Sequence, residues 1–178
     1  MRPSSKIAIL DAAFRLAGRD EGSVEITFDA TAREAGVTKG GVLYHFPTRD
    51  DLVIAVGEYV VHRVEEAMIA KLGKPLDQAT AAERIRAYIE VVAAGRLTRA
   101  DLAIYAECLA NPALSGPWET TMSRWLTLDD VPDAAQRARL RAAHFAADGL
   151  WVAEATGVLA PARADRARIV DQLLELTR

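Results

Sequence analysis

The sequence has almost no cysteine and no long apolar run. Its single cysteine, Cys108, excludes a disulfide framework within the chain and is too little for a cysteine metal cluster. No stretch approaches the roughly 18 consecutive apolar residues that mark a membrane span. Residues 1–20 also lack the apolar core and cleavage site of a secretory signal. We therefore expect a cytoplasmic protein.

Positive charge is also scarce. The 178 residues include 22 Lys and Arg against 25 Asp and Glu, which gives a formal net charge of −3. Residues 1–50 hold seven side chains of each sign, so the N-terminal third is neutral. Such a chain would not bind nucleic acid by bulk electrostatic attraction. Any DNA binding must depend on a few well-placed cations and on helix N-termini.

Strand patterns are missing as well. The sequence shows no sustained alternation of apolar and polar residues, and apolar residues recur at helical spacing in almost every segment. Ile7, Leu10, Phe14 and Ala17 form one such stripe on a first helix. Because 51% of the residues are apolar, the chain can bury a real core. We predict an all-α fold of about nine helices.

Glycine and proline breaks divide the chain into helical segments. A long fourth helix is expected to begin at Thr48 and to end near Leu72, where Gly-Lys-Pro stops it. We place one small domain at residues 1–47, which contains the first three helices, and a larger helical domain at residues 48–178. Further helices are predicted near residues 79–94, 99–110, 117–126, 134–156 and 162–177.

Residues 27–52 have the pattern of two short helices joined by a tight turn. Thr27 and Thr38 are hydroxyl residues at two helix starts, where each can accept a hydrogen bond from a first-turn N–H. Gly36 lies between them, where a chain leaving a helix often adopts a left-handed conformation. Pro47 ends the second helix after about two turns. The segment is therefore predicted to be a helix-turn-helix whose second helix enters the major groove of DNA.

The segment AREAGVTKGGVLYHFPTRDDL resembles the N-terminal domain of tetracycline-repressor-like (TetR) transcriptional regulators. The resemblance depends on the alanine, glycine and valine of the turn, the Lys-Gly pair and the aromatic tail, and it covers about residues 5–56. It implies a domain that binds double-stranded DNA, a body with a ligand pocket, and a homodimer formed by the last two helices. The DNA-contacting residues that it implies are Thr27, Thr38, Lys39, Gly40, Gly41, Tyr44, His45 and Arg49.

The segment departs from the family pattern at one position. Leu43 stands where a tyrosine is common, so a phosphate contact expected there is lost or moves to Tyr44. Gly40 and Gly41 also leave the predicted DNA-facing side of the helix almost bare. We therefore expect binding by backbone fit, phosphate contacts and DNA shape, with few long side chains that contact bases.

The last two predicted helices each have an apolar stripe that suits a dimer interface. Small residues in the first stripe allow close helix approach, and two helices from each chain would make a four-helix interface. The alternative is that both stripes pack inward within one chain. We favour the dimer, because two DNA-binding domains on a near-palindromic operator require a two-fold axis. The predicted interface residues are Ala143, Ala147, Leu150, Trp151, Ile169, Val170, Leu173 and Leu174.

The central helices contain aromatic residues that would either line an effector pocket or belong to the core. A pocket entrance needs an interrupted helix, which favours the two tryptophans beside the Asn-Pro-Ala-Leu-Ser-Gly-Pro break. The identity of the effector is not encoded in the sequence beyond a small apolar or aromatic character. The predicted pocket residues are Tyr59, Tyr105, Trp118, Met122, Trp125 and Phe145.

Patterns that would indicate an enzyme or a cofactor site are absent from the sequence. It has no glycine-rich phosphate loop after a strand, no GxSxG elbow, and only three scattered histidines. An acidic face around His62 on the fourth helix is expected to be solvated rather than to bind a metal ion. We predict a ligand-responsive, homodimeric repressor without a cofactor. The alternative is a helical ligand-binding or protein-interaction module that has lost DNA binding.

Overall fold

The computed structural model describes residues 5–19, 26–111 and 114–178. Over these ranges the chain forms nine α-helices, one short 3-10 turn and no strand, so the prediction of an all-α fold is confirmed. The predicted bounds of the last five helices differ from the observed ones by at most two residues. The helices are α1 Ser5–Ala17, α2 Phe28–Ala35, α3 Lys39–His45, α4 Arg49–Leu72, α5 Ala81–Ala93, α6 Arg99–Ala110, α7 Gly116–Leu126, α8 Ala134–Thr156 and α9 Arg163–Glu175.

The chain divides into two compact units. The first unit consists of Met1–His62 and Arg99–Glu119, and the second consists of Arg63–Thr98 and Thr120–Arg178. The division falls within α4 and places α6 beside the helix-turn-helix. The boundary predicted from the sequence, between residues 47 and 48, separates functions rather than packing units and stays a prediction.

Helix α1 supplies much of the core of the first unit. Ile9, Leu10 and Ala13 are buried, whereas Ile7, which belongs to the predicted stripe, is 47% exposed. The buried face is rotated from the predicted one because α1 packs against both α2 and α6. Val42 of α3 is completely buried in the same apolar cluster, which fixes the second helix of the motif on the first unit.

Two close approaches join α6 to the rest of the first unit. A Cβ atom placed on Gly18 would lie 3.2 Å from the Cβ atom of Ala100, and one placed on Gly57 of α4 would lie 3.1 Å from the Sγ atom of Cys108. Burial raises the pKa of the Cys108 thiol, as expected for a cysteine that acts as a small apolar residue. Glycine at these positions lets α6 pack closely against its neighbours.

Helices α5 and α8 form the centre of the second unit. Thr80 and Glu83 form a capping box at the start of α5, which satisfies first-turn N–H groups. The guanidinium of Arg84 is buried and donates to the carbonyls of Ala79, Trp125 and Thr127, so it anchors the loop after α7. Buried cations of this kind are tolerated only when their donors are paired.

A well-connected arginine of α9 links this helix to both α8 and α5. Arg166 forms an ion pair with Glu154 of α8 and donates a 2.9 Å hydrogen bond to the carbonyl of Ala93 at the end of α5.

Among the helices in the described ranges, none is long and apolar enough to cross a membrane.

Candidate nucleic-acid interface

Helix α2 begins and ends at the residues that the sequence indicates. The hydroxyl of Thr27 accepts a 3.2 Å hydrogen bond from the N–H of Ala30. Gly36 follows the last turn with φ 67° and ψ 30°, in the left-handed region, and the N–H of Val37 donates to the carbonyl of Ala32 at 3.0 Å. This is a Schellman motif, which turns the chain sharply toward α3.

Helix α3 is seven residues long and begins immediately after this turn. The hydroxyl of Thr38 accepts a 3.1 Å hydrogen bond from the N–H of Gly41, so it caps the helix. The N–H of Phe46 donates to the carbonyl of Val42 at 2.9 Å before the chain leaves the helix ahead of Pro47. A helix of this length fits the major groove of B-DNA end-on or along its axis.

The outer face of α3 has almost no side chains in its first turn. A Cβ atom placed on Gly40 would have the Thr38 hydroxyl at 3.9 Å as its nearest neighbour among the described residues. One placed on Gly41 would meet the same hydroxyl at 3.4 Å, an ordinary contact. Neither glycine has a positive φ angle. The fold therefore does not require glycine at these positions, although glycine lets another molecule approach the backbone closely.

The end of α3 presents an aromatic and an imidazole side chain. Tyr44 is 83% exposed, with its ring 5.2 Å from that of His45 in an edge arrangement. The Nε2 atom of His45 lies 2.7 Å from the hydroxyl of Ser5 at the start of α1. Leu43, the departure from the family pattern, is also exposed at the surface. Large exposed side chains at a helix end are available to contact a nucleic acid backbone.

The cations beside α3 are paired with carboxylates. The Nζ atom of Lys39 lies 2.9 Å from a carboxylate oxygen of Asp29, and Arg49 lies 2.5 Å from a carboxylate oxygen of Glu107. Surface pairs of this kind contribute only about 0 to 1 kcal/mol, so a phosphate can replace the carboxylate at small cost.

Glu34 pairs with two further cations of the first unit. It accepts a 3.0 Å hydrogen bond from Arg15 and also forms an ion pair with Arg19. The hydrogen bond from Arg15, together with the charge of Arg19, holds the pKa of Glu34 below its usual value. This cluster links α1 to α2 and lies apart from the residues assigned to DNA.

Two family models together match 145 of the 178 residues. Residues 9–56 match the model of bacterial regulatory proteins of the tetR family, and residues 82–178 match the tetracyclin repressor-like C-terminal domain. The second match alone covers more than half of the chain. The chain belongs to the TetR family. The resemblance stated from the sequence is therefore confirmed, and so is the prediction that the chain is not an enzyme, because this is a family of regulatory proteins.

Curated relatives match part of this TetR-family chain. The HTH-type transcriptional regulator BetI from Rhizobium meliloti (strain 1021) is 31% identical over 91 residues, which are 51% of this chain and 43% of the relative. BetI from Brucella anthropi gives the same identity over 45% of its length. The match thus spans less than half of these relatives.

Solved structures share the fold over almost the whole chain. A TetR-like transcriptional regulator from Rhodococcus sp. RHA1 is 21% identical with a TM-score of 0.69, covering 99% of this chain and 95% of that one. A structure from Saccharomonospora viridis in complex with choline is 19% identical with a TM-score of 0.73, covering 98% and 97%. The multidrug binding protein EbrR in complex with malachite green is 23% identical with a TM-score of 0.64, covering 98% of each chain. At these identities the likeness shows the TetR-like fold.

Three of the predicted pocket residues lie in the first unit. The rings of Tyr105 and Trp118 are in contact in a tilted arrangement, with their centroids 4.6 Å apart and an interplanar angle of 33°. Tyr59 donates its hydroxyl hydrogen to Asp11 and packs edge-on against Phe14 at 6.4 Å. Tyr59 therefore contacts α1 through both its ring and its hydroxyl group, whereas Tyr105 and Trp118 form a partly buried aromatic pair.

The other three predicted pocket residues lie in the second unit. Met122 and Trp125 are buried, and the indole N–H of Trp125 donates to Glu65 at 3.1 Å. Phe145 is 62% exposed on α8, with the guanidinium of Arg141 5.9 Å from its ring centroid. Two surface clefts of about 580 and 640 Å³ flank residues 127–131, and none of the six predicted residues is among those that line them.

The predicted dimer residues of α8 are buried within the single chain. Ala143 and Ala147 are completely buried and Leu150 and Trp151 almost so, which matches the inward-packing alternative left open by the sequence. Side chains already covered by their own chain have no surface left for a partner, so the stripe on α8 marks the core of the second unit. On α9, Leu173 is buried as well, whereas Ile169 is exposed and Val170 and Leu174 are half-buried.

A different face of α8 is open to solvent and apolar. Its residues recur at spacings of four and three, which places them on one side of the helix. A Cβ atom on Gly149 would meet nothing within 4 Å among the described residues. This outer face of α8 consists of Ala138, Ala142, Phe145, Gly149 and Val152.

The partners of the predicted DNA-contacting residues lie far away in the sequence or outside any recognisable local pattern. Asp29 lies ten positions before Lys39, and Glu107 lies 58 positions after Arg49, so no local spacing indicates the second pair. The contact of Ser5 with His45 spans 40 positions and has no sequence signal either. In the described ranges, no group of three or more His, Cys, Asp or Glu side chains is arranged to hold a metal ion.

Proposed function

We propose that this chain is a homodimeric, ligand-responsive repressor that binds DNA through α3. The proposal depends mainly on the bare first turn of α3. The fold does not require glycine at positions 40 and 41, yet Gly40 and Gly41 leave the helix backbone exposed there. The cap at Thr38 and the buried Val42 hold this face rigidly outward. Membership in a family of regulatory proteins supports the same function.

DNA binding is proposed to combine backbone fit with a few phosphate contacts. The first turn of α3 enters the major groove, and Thr27 and Thr38 place their helix N-termini toward phosphates. Lys39 and Arg49 exchange their carboxylate partners for phosphate oxygens, and Tyr44 and His45 contact the backbone from the helix end. Because Gly40 and Gly41 place no side chain on the proposed base-facing side of this turn, specificity depends strongly on DNA shape and half-site spacing.

The homodimer is proposed to form through the outer face of α8 together with α9. Phe145 and Val152 are exposed apolar side chains on this face, and Gly149 costs helix stability without relieving any contact within the described chain. A helix of the partner chain that crosses α8 at Gly149 would explain why glycine occupies this position. Ile169 of α9 adds exposed apolar surface. A two-fold pair places two α3 helices on a near-palindromic operator.

The effector is proposed to be a small apolar or aromatic compound that favours a body conformation with reduced DNA affinity. The paired rings of Tyr105 and Trp118 are the best candidates for contacting it, because aromatic faces bind apolar groups and organic cations alike. Two proteins of this fold were solved with choline and malachite green, both organic cations, so these compounds are the first probes.

The proposed location of the protein is the cytoplasm, because a DNA-binding regulator acts where the DNA is.

Selection of bound fragments from genomic DNA tests the proposal. The expected result is a fragment that binds in a sequence-preferring and salt-sensitive way. The variants Lys39→Ala and Arg49→Ala should each weaken binding and lower the slope of log affinity against log salt by about one. Lys71→Ala, at an exposed cation in the last turn of α4, is the matched control and should leave both unchanged. Absence of any salt-sensitive binding would refute the proposal.

A second candidate is a helical ligand-binding or protein-interaction module without DNA affinity. The neutral N-terminal third and the carboxylate partners of Lys39 and Arg49 favour it. The same experiment separates the two candidates. In a module of this kind, effector binding measured by calorimetry with choline or malachite green would persist while DNA fragments are not retained.

A further inference from the structure

We propose that the carboxylates of Asp29 and Glu107 compete with DNA phosphates for two cations of the interface and so limit its affinity for DNA. Each carboxylate holds one of the two cations assigned to phosphate contacts, Lys39 and Arg49. The inference rests on the proposed function and names side chains that limit it. They are affinity-determining residues that need not contact DNA themselves.

The first pair joins α2 to α3. The ammonium of Lys39 and the carboxylate of Asp29 are 2.9 Å apart, within the range of a charge-assisted hydrogen bond. Their side chains are 53% and 65% exposed, so the pair lies at the surface beside the bare turn of α3. A phosphate approaching that turn meets Lys39 already occupied by an anion. Binding there requires the phosphate to displace the carboxylate.

The second pair joins α4 to α6 and is held by packing. Glu107 lies 2.5 Å from Arg49, the first residue of α4. The next residue, Cys108, packs closely against Gly57 of α4, where an added Cβ atom would lie 3.1 Å from its Sγ atom, so α6 and α4 are in close contact on this side of the unit. The side chain of Glu107 is 30% exposed, less than that of Asp29, which makes it the better-held competitor.

The expected size of the competition follows from the strength of surface ion pairs. An exposed pair contributes about 0.2–1 kcal/mol, which converts to an affinity change of about 1.4- to 5-fold for each carboxylate removed. The effect acts on phosphate contacts and is therefore equal for operator and unrelated DNA. It is largest at low salt, because added ions screen the ion pair.

The test compares Glu107→Gln with Glu107→Asp in the full chain. Glutamine removes the charge, whereas aspartate keeps the charge but shortens the side chain by one carbon–carbon bond, about 1.5 Å, and so breaks the contact with Arg49. Affinity is measured by fluorescence anisotropy on a selected genomic fragment and on a shuffled duplex of equal composition. If the direct contact matters, both variants bind both duplexes more tightly, by about 1.4- to 5-fold.

Two controls make the result specific. Glu34→Gln removes a carboxylate that pairs with Arg15 and Arg19, outside the assigned DNA contacts, and measures the general effect of one less negative charge. In an Arg49→Ala background, Glu107→Gln should no longer raise affinity. Asp29→Asn should raise affinity in the wild type and not in a Lys39→Ala background.

Each other outcome overturns the inference. If Glu107→Asp binds like the wild type while Glu107→Gln equals Glu34→Gln, only net charge matters and the contact has no role. If Glu107→Gln still raises DNA affinity in the Arg49→Ala background, Glu107 does not compete with phosphate for Arg49. If the wild type binds DNA and no variant changes affinity, the inference fails and the proposed function stands. If the wild type binds no DNA, both fail.

Discussion

The substitution Gly40→Ala separates the needs of the fold from the needs of DNA binding. Gly40 is exposed in the first turn of α3, with a φ angle that any residue adopts and with the Thr38 hydroxyl at 3.9 Å as the nearest described neighbour of an added Cβ atom. Alanine therefore fits the free protein without strain. A methyl group on this face instead occupies space next to the proposed path of the DNA.

The two effects have opposite signs and predictable sizes. Glycine within a helix is less stable than alanine by roughly 0.5–1 kcal/mol, so Gly40→Ala should stabilise the folded chain by up to that amount. For a protein of this length the gain corresponds to a rise in melting temperature of about 1–4 °C. In the complex, one extra methyl group in a close-packed contact costs about 1–3 kcal/mol, which weakens DNA binding by about 5- to 150-fold.

Thermal denaturation followed by circular dichroism measures the first effect, and anisotropy on a selected genomic fragment measures the second. Gly116→Ala is the matched control, because Gly116 begins α7, is exposed, and has nothing within 4 Å of an added Cβ atom among the described residues. It should not weaken DNA binding. If Gly40→Ala is more stable but binds DNA like the wild type, the backbone of α3 does not approach DNA closely. If it is less stable, the account of α3 in the free protein is wrong.

Three further predictions concern the rest of the chain. Hydrogen bonds from Lys74 and the Thr80 cap lower the pKa of Glu83 to about 2, so its contribution to stability is present above its unfolded pKa and lost as the pH falls toward 2. Glu83→Gln should therefore flatten the acid limb of a stability curve, and an unchanged limb would contradict this. Gly57→Ala should destabilise the wild type more than it destabilises the Cys108→Ala variant, because that variant lacks the Sγ atom that lies 3.1 Å from the added Cβ atom. If denaturant titrations show that the two substitutions have additive effects on the free energy of unfolding, the two atoms do not clash. Phe145→Glu should convert the proposed dimer to a folded monomer in light scattering, and a dimer that persists in this variant would contradict an interface at Phe145.

The helix-turn-helix could be predicted from the sequence because its determinants are local. Thr27 and Thr38 cap helices through N–H groups three residues ahead, and Gly36 satisfies the carbonyls of the turn just completed. Pro47 cannot continue a helix. Each of these interactions spans fewer than five residues, so the spacing in the sequence is the spacing in the structure.

The exposed apolar face of α8, where we propose the dimer interface, could not be predicted from the apolar stripe of this helix. This helix has one apolar face with Ala143 and Ala147, which packs inward, and a second with Phe145 and Val152, which is exposed. A hydrophobic pattern shows that a face needs burial, although it does not show which neighbour covers it. The choice depends on how α5 and α9 rotate α8 about its axis, and that rotation is set by tertiary contacts.

The ion pairs change the source of the free energy of DNA binding. When a free cation meets phosphate, it gains a new contact, whereas Lys39 and Arg49, which are already paired with carboxylates, would exchange one anionic partner for another in the proposed complex. The net Coulombic gain of each contact is then small, although counterions are still released from the DNA. The fit of the bare first turn of α3 must therefore supply a larger share of the affinity for the correct site. Because fit does not depend on ionic strength as phosphate contacts do, rising salt should lower total affinity while the preference for the operator is retained.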